Sequence, residues 1–282
     1  MEIVLLAFFA AGIAILCWWL IFETEGVYLG RHMVVWLYDV YAHRYDDIKN
    51  QSGEFEHIFL AEPIMQDIAP HTSPLMLDVA TGTGRLPLAM LSHTDFQGRV
   101  IGVDLSRRML ANAAHKFDGY QDRVTLLWCP AERLPFADNA FDVVTCLEAL
   151  EFMPNPETVL RECARVLRPG GELLLTNRIS TRLMPGKIWT GDEMKALLNS
   201  AAIKSIQIER WQLDYDQVWG RKSGESLPVG ARPLGEVLRC PCCPDKLMIQ
   251  RENEWVCEGC KGAARIADDG VIELFPLVES AC

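Results

Sequence analysis

The stretch Leu75–Arg85 is the feature that most constrains the fold of this 282-residue chain. Its first half is a continuous apolar run, which is typical of a parallel strand buried on both faces. Gly82 and Gly84 then interrupt the run, and the residues that follow have the composition of a helix. Strand, tight glycine turn and helix form the first unit of a doubly wound α/β sheet, in which ligands bind at the turn. Glycine allows close approach of the backbone to a ligand and permits positive φ.

Acidic residues end the first two predicted strands. A dinucleotide fingerprint requires a third glycine where this chain has Pro87, and Asp78 would repel a pyrophosphate. A carboxylate instead suits a ligand that carries an ammonium and a sulfonium group, as S-adenosylmethionine does. Asp104 follows about twenty residues later, which is the spacing of a carboxylate that binds ribose hydroxyls. These residues taken alone leave open an ordinary strand–helix turn of another α/β protein.

Five segments occur in a characteristic order: Asp78–Gly84, Arg99–Asp104, Ala131–Phe136, Phe141–Val144 and Arg165–Gly171. Together they resemble the class I S-adenosylmethionine-dependent methyltransferases, in the type 11 or quinone-biosynthesis-like branch. The resemblance covers roughly residues 35–222. It implies an α/β fold with a doubly wound, seven-stranded, Rossmann-like sheet, and it implies methyl transfer from S-adenosylmethionine.

Alternating patterns within this region predict the elements of that sheet. Strands are predicted at Leu75–Ala80, Val100–Asp104, Val124–Trp128, Val143–Leu147 and Glu172–Asn177. Helices are predicted at Arg85–Leu91, Arg107–Lys116, Pro156–Leu167 and Thr190–Ala201. Arg168–Gly171 is predicted to be a turn. Two further strands are expected within Lys204–Lys222, and the resemblance places the last of them antiparallel beside the fifth strand.

The resemblance also implies a set of cofactor-binding residues. Asp78, Gly82 and Gly84 would hold the methionine end, Asp104 the ribose, and Leu105, Met109 and Ala131 the adenine. The complete predicted set is Tyr45, Asp78, Ala80, Gly82, Gly84, Asp104, Leu105, Met109, Ala131, Glu132 and Cys146. The chain departs from the family at Pro130, where relatives usually carry an aspartate that reaches the adenine amino group. Selectivity for adenine would then come from the Ala131 backbone or from Glu132.

The catalytic residues are unknown from sequence, and two carboxylates are weak candidates. Relatives often carry histidines after the fourth strand, whereas no histidine of this chain lies beyond His115. Glu148 and Glu151 are three residues apart and would share a face if their segment were helical. One of them would face the sulfonium or accept a substrate proton. The alternative is that both are solvated or capping carboxylates.

Residues 1–24 are predicted to be a transmembrane anchor. Ile3–Phe22 contains no charged residue, and about twenty apolar residues match the hydrocarbon core of a bilayer. A cleaved signal peptide is the alternative, but its positive n-region and small-residue cleavage site are absent from the sequence. Positive charges follow the span at Arg31, Arg44 and Lys49, which predicts a cytoplasmic catalytic domain over residues 25–222.

An aromatic amphipathic helix is predicted at Val34–Asp46, between the span and the sheet. It resembles the first helix of quinone-pathway and phospholipid methyltransferases, with Tyr38-Asp39, Ala42 and Tyr45-Asp46 at matching positions. In those relatives the helix covers the cofactor pocket, which implies that Tyr45 lies near the cofactor. The alternative is a membrane-proximal helix whose aromatic rings pack on the sheet or lie in the headgroup zone.

The C-terminal region is predicted to be a zinc ribbon over residues 237–282, after a linker at 223–236. Two Cys-x-x-Cys pairs, Cys240–Cys243 and Cys257–Cys260, have the spacing of a structural tetrathiolate zinc site. Cys242 competes as a ligand within the first pair, and redox chemistry is the alternative. The closing segment resembles the small zinc-ribbon activators of tRNA, rRNA and protein methyltransferases.

Charge and sequence together leave three hypotheses for the whole chain. The net charge of −11 and the lack of a basic stripe argue against direct nucleic-acid binding. The membrane span favours a lipophilic small-molecule acceptor, such as a quinone precursor or a phospholipid headgroup. The ribbon favours RNA or protein as the acceptor. Pro130 and the missing histidines favour an inactive membrane scaffold with the same fold.

Overall fold

The computed structural model describes residues 2–45, 53–179 and 186–281. Helix α1 (Glu2–Trp18) continues as a π-helical segment at Trp19–Glu23. The stretch Ile3–Glu23 is long and apolar enough to cross a membrane, and none of it is buried by the rest of the protein. An exposed apolar surface of this length is typical of a membrane-spanning segment or of a signal sequence.

Two helical regions separate α1 from the sheet. Helix α2 (Arg31–Tyr41) ends in a 3-10 turn at Ala42–Arg44, and Asp46 and Lys49 of the predicted pattern lie outside the described residues. The second region consists of α3 (Gly53–Glu56), a π-helical segment at His57–Ala61 and α4 (Glu62–Ile68).

A single sheet of eleven strands forms the centre of the part of the chain that the structure describes. Its first seven strands are β1 (Leu75–Val79), β2 (Arg99–Asp104), β3 (Val124–Trp128), β4 (Phe141–Cys146), β5 (Leu167–Arg178), β6 (Ile203–Arg210) and β7 (Tyr215–Lys222). Strands β1 to β5 pair in parallel. Strand β7 runs antiparallel between β5 and β6, and the doubly wound architecture is confirmed.

Four helices connect the strands: α5 (Arg85–Ser92), α6 (Arg107–Lys116), α7 (Pro156–Val166) and α8 (Gly191–Ser200). Two apolar clusters lie against the sheet, and the inward residues of α7 and α8 belong to one of them, whereas those of α5 and α6 belong to the other. Each helix begins within a residue of its predicted start. The predicted turn at Arg168–Gly171 is instead an irregularity inside β5, where the register with β4 shifts.

The remaining four strands belong to the C-terminal region, and they correct the predicted strand number. After α9 (Leu234–Val237) come β8 (Met248–Arg251), β9 (Glu254–Cys257), β10 (Ala263–Ile266) and β11 (Ile272–Glu273), followed by α10 (Phe275–Ala281). Strand β11 pairs in parallel with β3, so that the sheet of the described residues has eleven strands instead of seven, in the order β6-β7-β5-β4-β1-β2-β3-β11-β10-β9-β8. The physical reason is that β3 would otherwise be an edge, with unpaired backbone groups that bind a further strand.

Candidate functional site

The turn after β1 is built from residues in the left-handed conformation. Ala80, Gly82 and Gly84 have φ values of 57°, 55° and 75°. A Cβ atom on Gly82 would meet nothing within 4 Å, whereas one on Gly84 would overlap the Phe117 ring. Gly82 therefore faces open space, and Gly84 allows the turn to pack against the end of α6.

Asp78 is buried near the end of β1, with an exposed fraction of 3%. Its Oδ1 accepts a hydrogen bond from the Thr145 hydroxyl at 2.6 Å, and its Oδ2 accepts one from the Thr81 hydroxyl at 2.7 Å. Burial raises the pKa of Asp78 to about 6, although both hydroxyls act in the opposite direction. A cationic ligand group would favour the charged carboxylate.

Asp104 fixes the position of the glycine turn relative to β2. Its Oδ2 accepts the backbone N–H of Gly82 at 2.8 Å, and its Oδ1 accepts that of Ser106 at 2.7 Å. Ser106 in turn caps α6, because its hydroxyl accepts the N–H of Met109 at 3.2 Å. Burial raises the pKa of Asp104, and these backbone donors oppose the increase.

Two adjoining cavities lie above the carboxyl ends of these strands, with volumes of ≈ 140 and ≈ 70 Å³. We call them the first and second cavities. Nine predicted cofactor residues line at least one of them: Tyr45, Asp78, Ala80, Gly82, Asp104, Leu105, Met109, Ala131 and Glu132. Gly84 and Cys146 line neither cavity, since Gly84 packs against Phe117 and Cys146 is fully buried in β4.

Aromatic residues from α2 and the turn after it cover this site. Tyr38 and Tyr45 both line the first cavity, and their ring centroids lie 6.1 Å apart. The Tyr38 hydroxyl donates to Glu25 Oε2 at 2.8 Å, and its ring meets Phe152 edge-on at 6.0 Å. Burial raises the pKa of Tyr45 well above its ordinary value, so that it stays neutral at physiological pH.

The second cavity contains residues that sequence reasoning missed. Glu56 and Arg85 form an ion pair there, and Glu56 is only 3% exposed. Trp211, which lies after β6, completes this wall. The sequence feature that could have indicated this pair is the charge of Arg85 directly after the glycine turn, because a partly buried cation requires an anionic partner.

Glu148 and Glu151 do not share a helical face. Glu148 has a φ of 50° and precedes a 3-10 turn at Leu150–Phe152 that contains Glu151. Glu148 lines both cavities, whereas Glu151 is only 2% exposed and lines neither. The two carboxylates therefore lie in different surroundings.

Four cysteines converge where the C-terminal region folds back on itself. The Sγ atoms of Cys240, Cys243, Cys257 and Cys260 all lie within 4.8 Å of one another, and those of Cys240 and Cys260 are 3.6 Å apart. Tetrahedral zinc with Zn–S bonds of about 2.3 Å requires sulfur–sulfur distances of about 3.8 Å. The donor set and its spacing therefore fit a structural zinc ion, and Cys242 lies outside the group.

The central part of the chain matches a known protein family. Residues 77–175 match the family model Methyltransf_11, described as a methyltransferase domain. The demethylmenaquinone methyltransferase of Lactiplantibacillus plantarum is 36% identical over 145 residues, which are 51% of this chain and 61% of that protein. The ubiquinone/menaquinone biosynthesis C-methyltransferase UbiE of Roseobacter denitrificans is 33% identical over 158 residues, covering 55% and 62% of the two chains. The matches thus span about three fifths of these relatives.

Solved structures share the same fold at low sequence identity. A chain from the Haloferax volcanii complex between the Trm112 methyltransferase activator and a methyltransferase has a TM-score of 0.54 and 20% identity, over 67% of this chain and 97% of that one. The YcgJ protein of Bacillus subtilis has a TM-score of 0.52 and 18% identity, over 60% and 99%. The family match and the strand order together show that residues 77–175 form a methyltransferase domain within a doubly wound sheet, and that this domain is similar to quinone-biosynthesis methyltransferases.

Proposed function

We propose that this protein is a membrane-anchored methyltransferase that transfers the methyl group of S-adenosylmethionine to a lipophilic, quinone-like acceptor. The main support is the glycine turn, which places Asp78, Gly82 and Asp104 around two adjoining cavities at the carboxyl ends of β1 and β2. This is the position where ligands bind in doubly wound sheets.

The residues of the two cavities suit the parts of the cofactor. Asp78 in the second cavity would bind the ammonium group of the methionine portion, and Gly82 leaves room for it. Asp104 in the first cavity would bind the ribose hydroxyls, and Leu105, Met109 and Ala131 provide an apolar surface for adenine. Glu132 lies 4.0 Å from Arg31, and this pair would close the adenine side.

Methyl transfer demands alignment more than a dedicated catalytic group. The cofactor supplies an electrophilic methyl group on a positively charged sulfur. The protein holds the two reactants in line and excludes water, and proximity alone lowers such barriers by about 7–11 kcal/mol. Tyr38, Tyr45 and Phe152 form an aromatic wall that would exclude water from the site.

Two observations favour a lipophilic acceptor. The names of the two relatives above refer to menaquinone and ubiquinone pathways. The apolar helix Ile3–Glu23 would hold the domain at a bilayer, where such acceptors dissolve. Arg31 and Arg44 follow this helix, which favours a cytoplasmic position for the catalytic domain.

The four-cysteine group would hold one structural zinc ion. A segment of about forty residues has too small a core to fold unaided, so metal binding would supply much of its folding free energy. Strand β11 pairs with β3, and Arg107 at the start of α6 donates to both Asp269 and Glu273. The ribbon would thus brace the helix that follows Asp104, which favours a supporting role over recognition of a macromolecule.

The direct test is transfer of radiolabelled methyl groups by the full-length protein in detergent micelles, followed by separation of lipid, RNA and protein fractions. We expect label in the lipid fraction and in added demethylmenaquinol. Label confined to RNA or protein would contradict the proposed acceptor. Cofactor binding without transfer to any fraction would identify an inactive scaffold.

A further inference from the structure

A third cavity of ≈ 490 Å³ adjoins the proposed cofactor site, and we call it the acceptor chamber. It is lined by Ile21, Phe22, Glu25, Leu37, Tyr38, Tyr41, Tyr45, Glu148, Phe152, Arg178, Gln212, Leu213, Asp214 and Tyr215. Four of these residues also line the first cavity, namely Tyr38, Tyr45, Glu148 and Phe152. The chamber therefore meets the proposed cofactor site along one shared wall.

We propose that Glu148 is the base that accepts a hydroxyl proton from the acceptor, and that the end of the apolar helix Ile3–Glu23 forms part of the acceptor chamber. This inference rests on the proposed methyltransferase function and extends it, because it assigns the acceptor's position and one catalytic residue.

Glu148 stands at the junction of all three cavities. Its backbone is held in the left-handed conformation, with φ of 50°, and its N–H donates to the Thr176 hydroxyl at 2.6 Å. A non-glycine residue in this conformation persists only where its surroundings fix it, and such residues concentrate at functional sites. Its Oε1 accepts a hydrogen bond from Gln212 at 3.2 Å, which orients the carboxylate.

Part of the chamber wall is a polar network that separates Glu151 from the chamber. Arg178 donates to the Tyr215 hydroxyl at 3.0 Å, and that hydroxyl donates to Glu151 Oε1. Arg178 and Tyr215 line the chamber, whereas Glu151 does not. Glu151 is thus a positioning residue for Tyr215 and Arg178, and Glu148 alone of the two candidates meets the acceptor.

The charges of the chamber select the acceptor head. Glu25, Glu148 and Asp214 line it, and Arg178 is the single cation among its described lining residues, so an anionic head would be repelled. A cationic amine would be attracted by the three carboxylates, but it would be repelled by Arg178 and by the sulfonium of the cofactor. A neutral hydroxyl group donates to a carboxylate without either repulsion, and the four tyrosines offer ring surfaces for an aromatic head.

The apolar side of the chamber leads to the membrane helix. Ile21 and Phe22 belong to the last turn of the apolar stretch Ile3–Glu23, and Leu37 on α2 lines the same cavity. A lipid tail would follow these residues toward the bilayer while its head reaches Glu148. The anchor would then form part of the acceptor site in addition to holding the protein at the membrane.

The proposed reaction is methylation at a ring carbon of the acceptor. The hydroxyl proton moves to Glu148, and the electron pair left on oxygen shifts through the ring to form the new carbon–carbon bond. The sulfur–methyl bond breaks, and its electron pair stays on sulfur. The ring carbon then loses its own proton to solvent, and Glu148 returns the first proton to the oxygen.

The first test measures turnover of the full-length protein in micelles with demethylmenaquinol. We expect Glu148→Gln to lower kcat by about 100-fold or more, as loss of a general base does, with the Kd of S-adenosylmethionine changed by less than about threefold. Glu148→Asp should restore part of the rate. Glu209→Gln, which changes an exposed carboxylate on β6 outside the chamber, is the matched control and should retain activity. A kcat for Glu148→Gln within about threefold of wild type would overturn the assignment.

The second test needs no turnover and uses full-length protein saturated with S-adenosylhomocysteine. We expect 1-naphthol to bind about tenfold more tightly than 1-methoxynaphthalene, since only the former donates a hydrogen bond to Glu148. Glu148→Gln should reduce this preference to about threefold or less. Equal wild-type affinities, or tighter binding of 1-naphthylmethylamine, would overturn the proposed contact between the acceptor hydroxyl and Glu148. Loss of all methyl transfer with the naphthol preference intact would instead contradict the methyltransferase function alone.

Discussion

At the residue scale, Asp104 has a structural and a ligand-binding task. It already accepts two backbone N–H groups, and the proposed ribose hydroxyls would be further donors to the same carboxylate. We expect Asp104→Ala to weaken binding of S-adenosylmethionine by about 1.5–3 kcal/mol, the range for hydrogen bonds to a charged group. Calorimetry measures this, with the exposed Asp95→Ala as control. Unchanged affinity in Asp104→Ala would contradict the site assignment.

Asp78 predicts a pH dependence of cofactor affinity. Burial raises its pKa to about 6, and the cofactor's ammonium group binds the deprotonated carboxylate. Affinity should therefore be constant above pH 6 and decrease as the pH falls below 6, because protonation then competes with binding. The Asp78→Asn variant should bind weakly and without this dependence. An affinity for wild type that is equal at pH 5 and pH 7 would argue against contact between Asp78 and the ammonium.

Single residues differ in how far the sequence predicted their roles. Asp78, Gly82 and Asp104 were identifiable because strand, turn and spacing are local patterns, and the structure brings them to one pair of cavities. Glu56 and Arg85 were not, because their contact joins segments 29 residues apart without a motif. Glu148 was a candidate because of its position after the fourth strand. Its left-handed backbone could not be predicted, because glutamate has no preference for that conformation.

At the element scale, the hydrophobic pattern predicts the strands of the catalytic region but not every strand pairing of the sheet. The seven strands of the catalytic region were predicted from hydrophobic runs, and β7 lies between β5 and β6 as expected. The ribbon was predicted as a separate unit after a linker. Its strand β11 nevertheless pairs with β3. The sequence could not predict this pairing, because a two-residue strand such as Ile272–Glu273 carries too little periodicity to indicate its partner.

This pairing predicts that zinc affects the cofactor site. Chelation, or Cys260→Ser, should remove the metal and release Asp269 and Glu273 from Arg107 at the start of α6. Half-exposed ion pairs contribute about 0.2–1 kcal/mol each, so S-adenosylmethionine affinity should fall by about threefold. Arg107→Ala, with zinc bound, should lower the affinity by the same amount. Metal analysis and calorimetry check both steps, and zinc-free protein that binds like wild type would show that the ribbon is independent.

At the scale of the whole molecule, the apolar helix and the catalytic domain have separable tasks. A chain of residues 24–282 should remain soluble without detergent, because none of the removed segment is buried, and it keeps the bond between Glu25 and Tyr38. It should bind S-adenosylmethionine like the full-length protein. Its turnover of demethylmenaquinol should fall, since the chamber loses Ile21 and Phe22. Full-length protein that fractionates as soluble would contradict the anchor.

The most direct test of the central claim is calorimetric titration of S-adenosylmethionine into the full-length protein, with Gly82→Val as the comparison. We expect one binding site per chain in wild type. No binding is expected in Gly82→Val, because the branched side chain would occupy the open space at the turn and Gly82 has a φ of 55°. Absence of binding in the wild type, or equal binding in both proteins, would contradict the account.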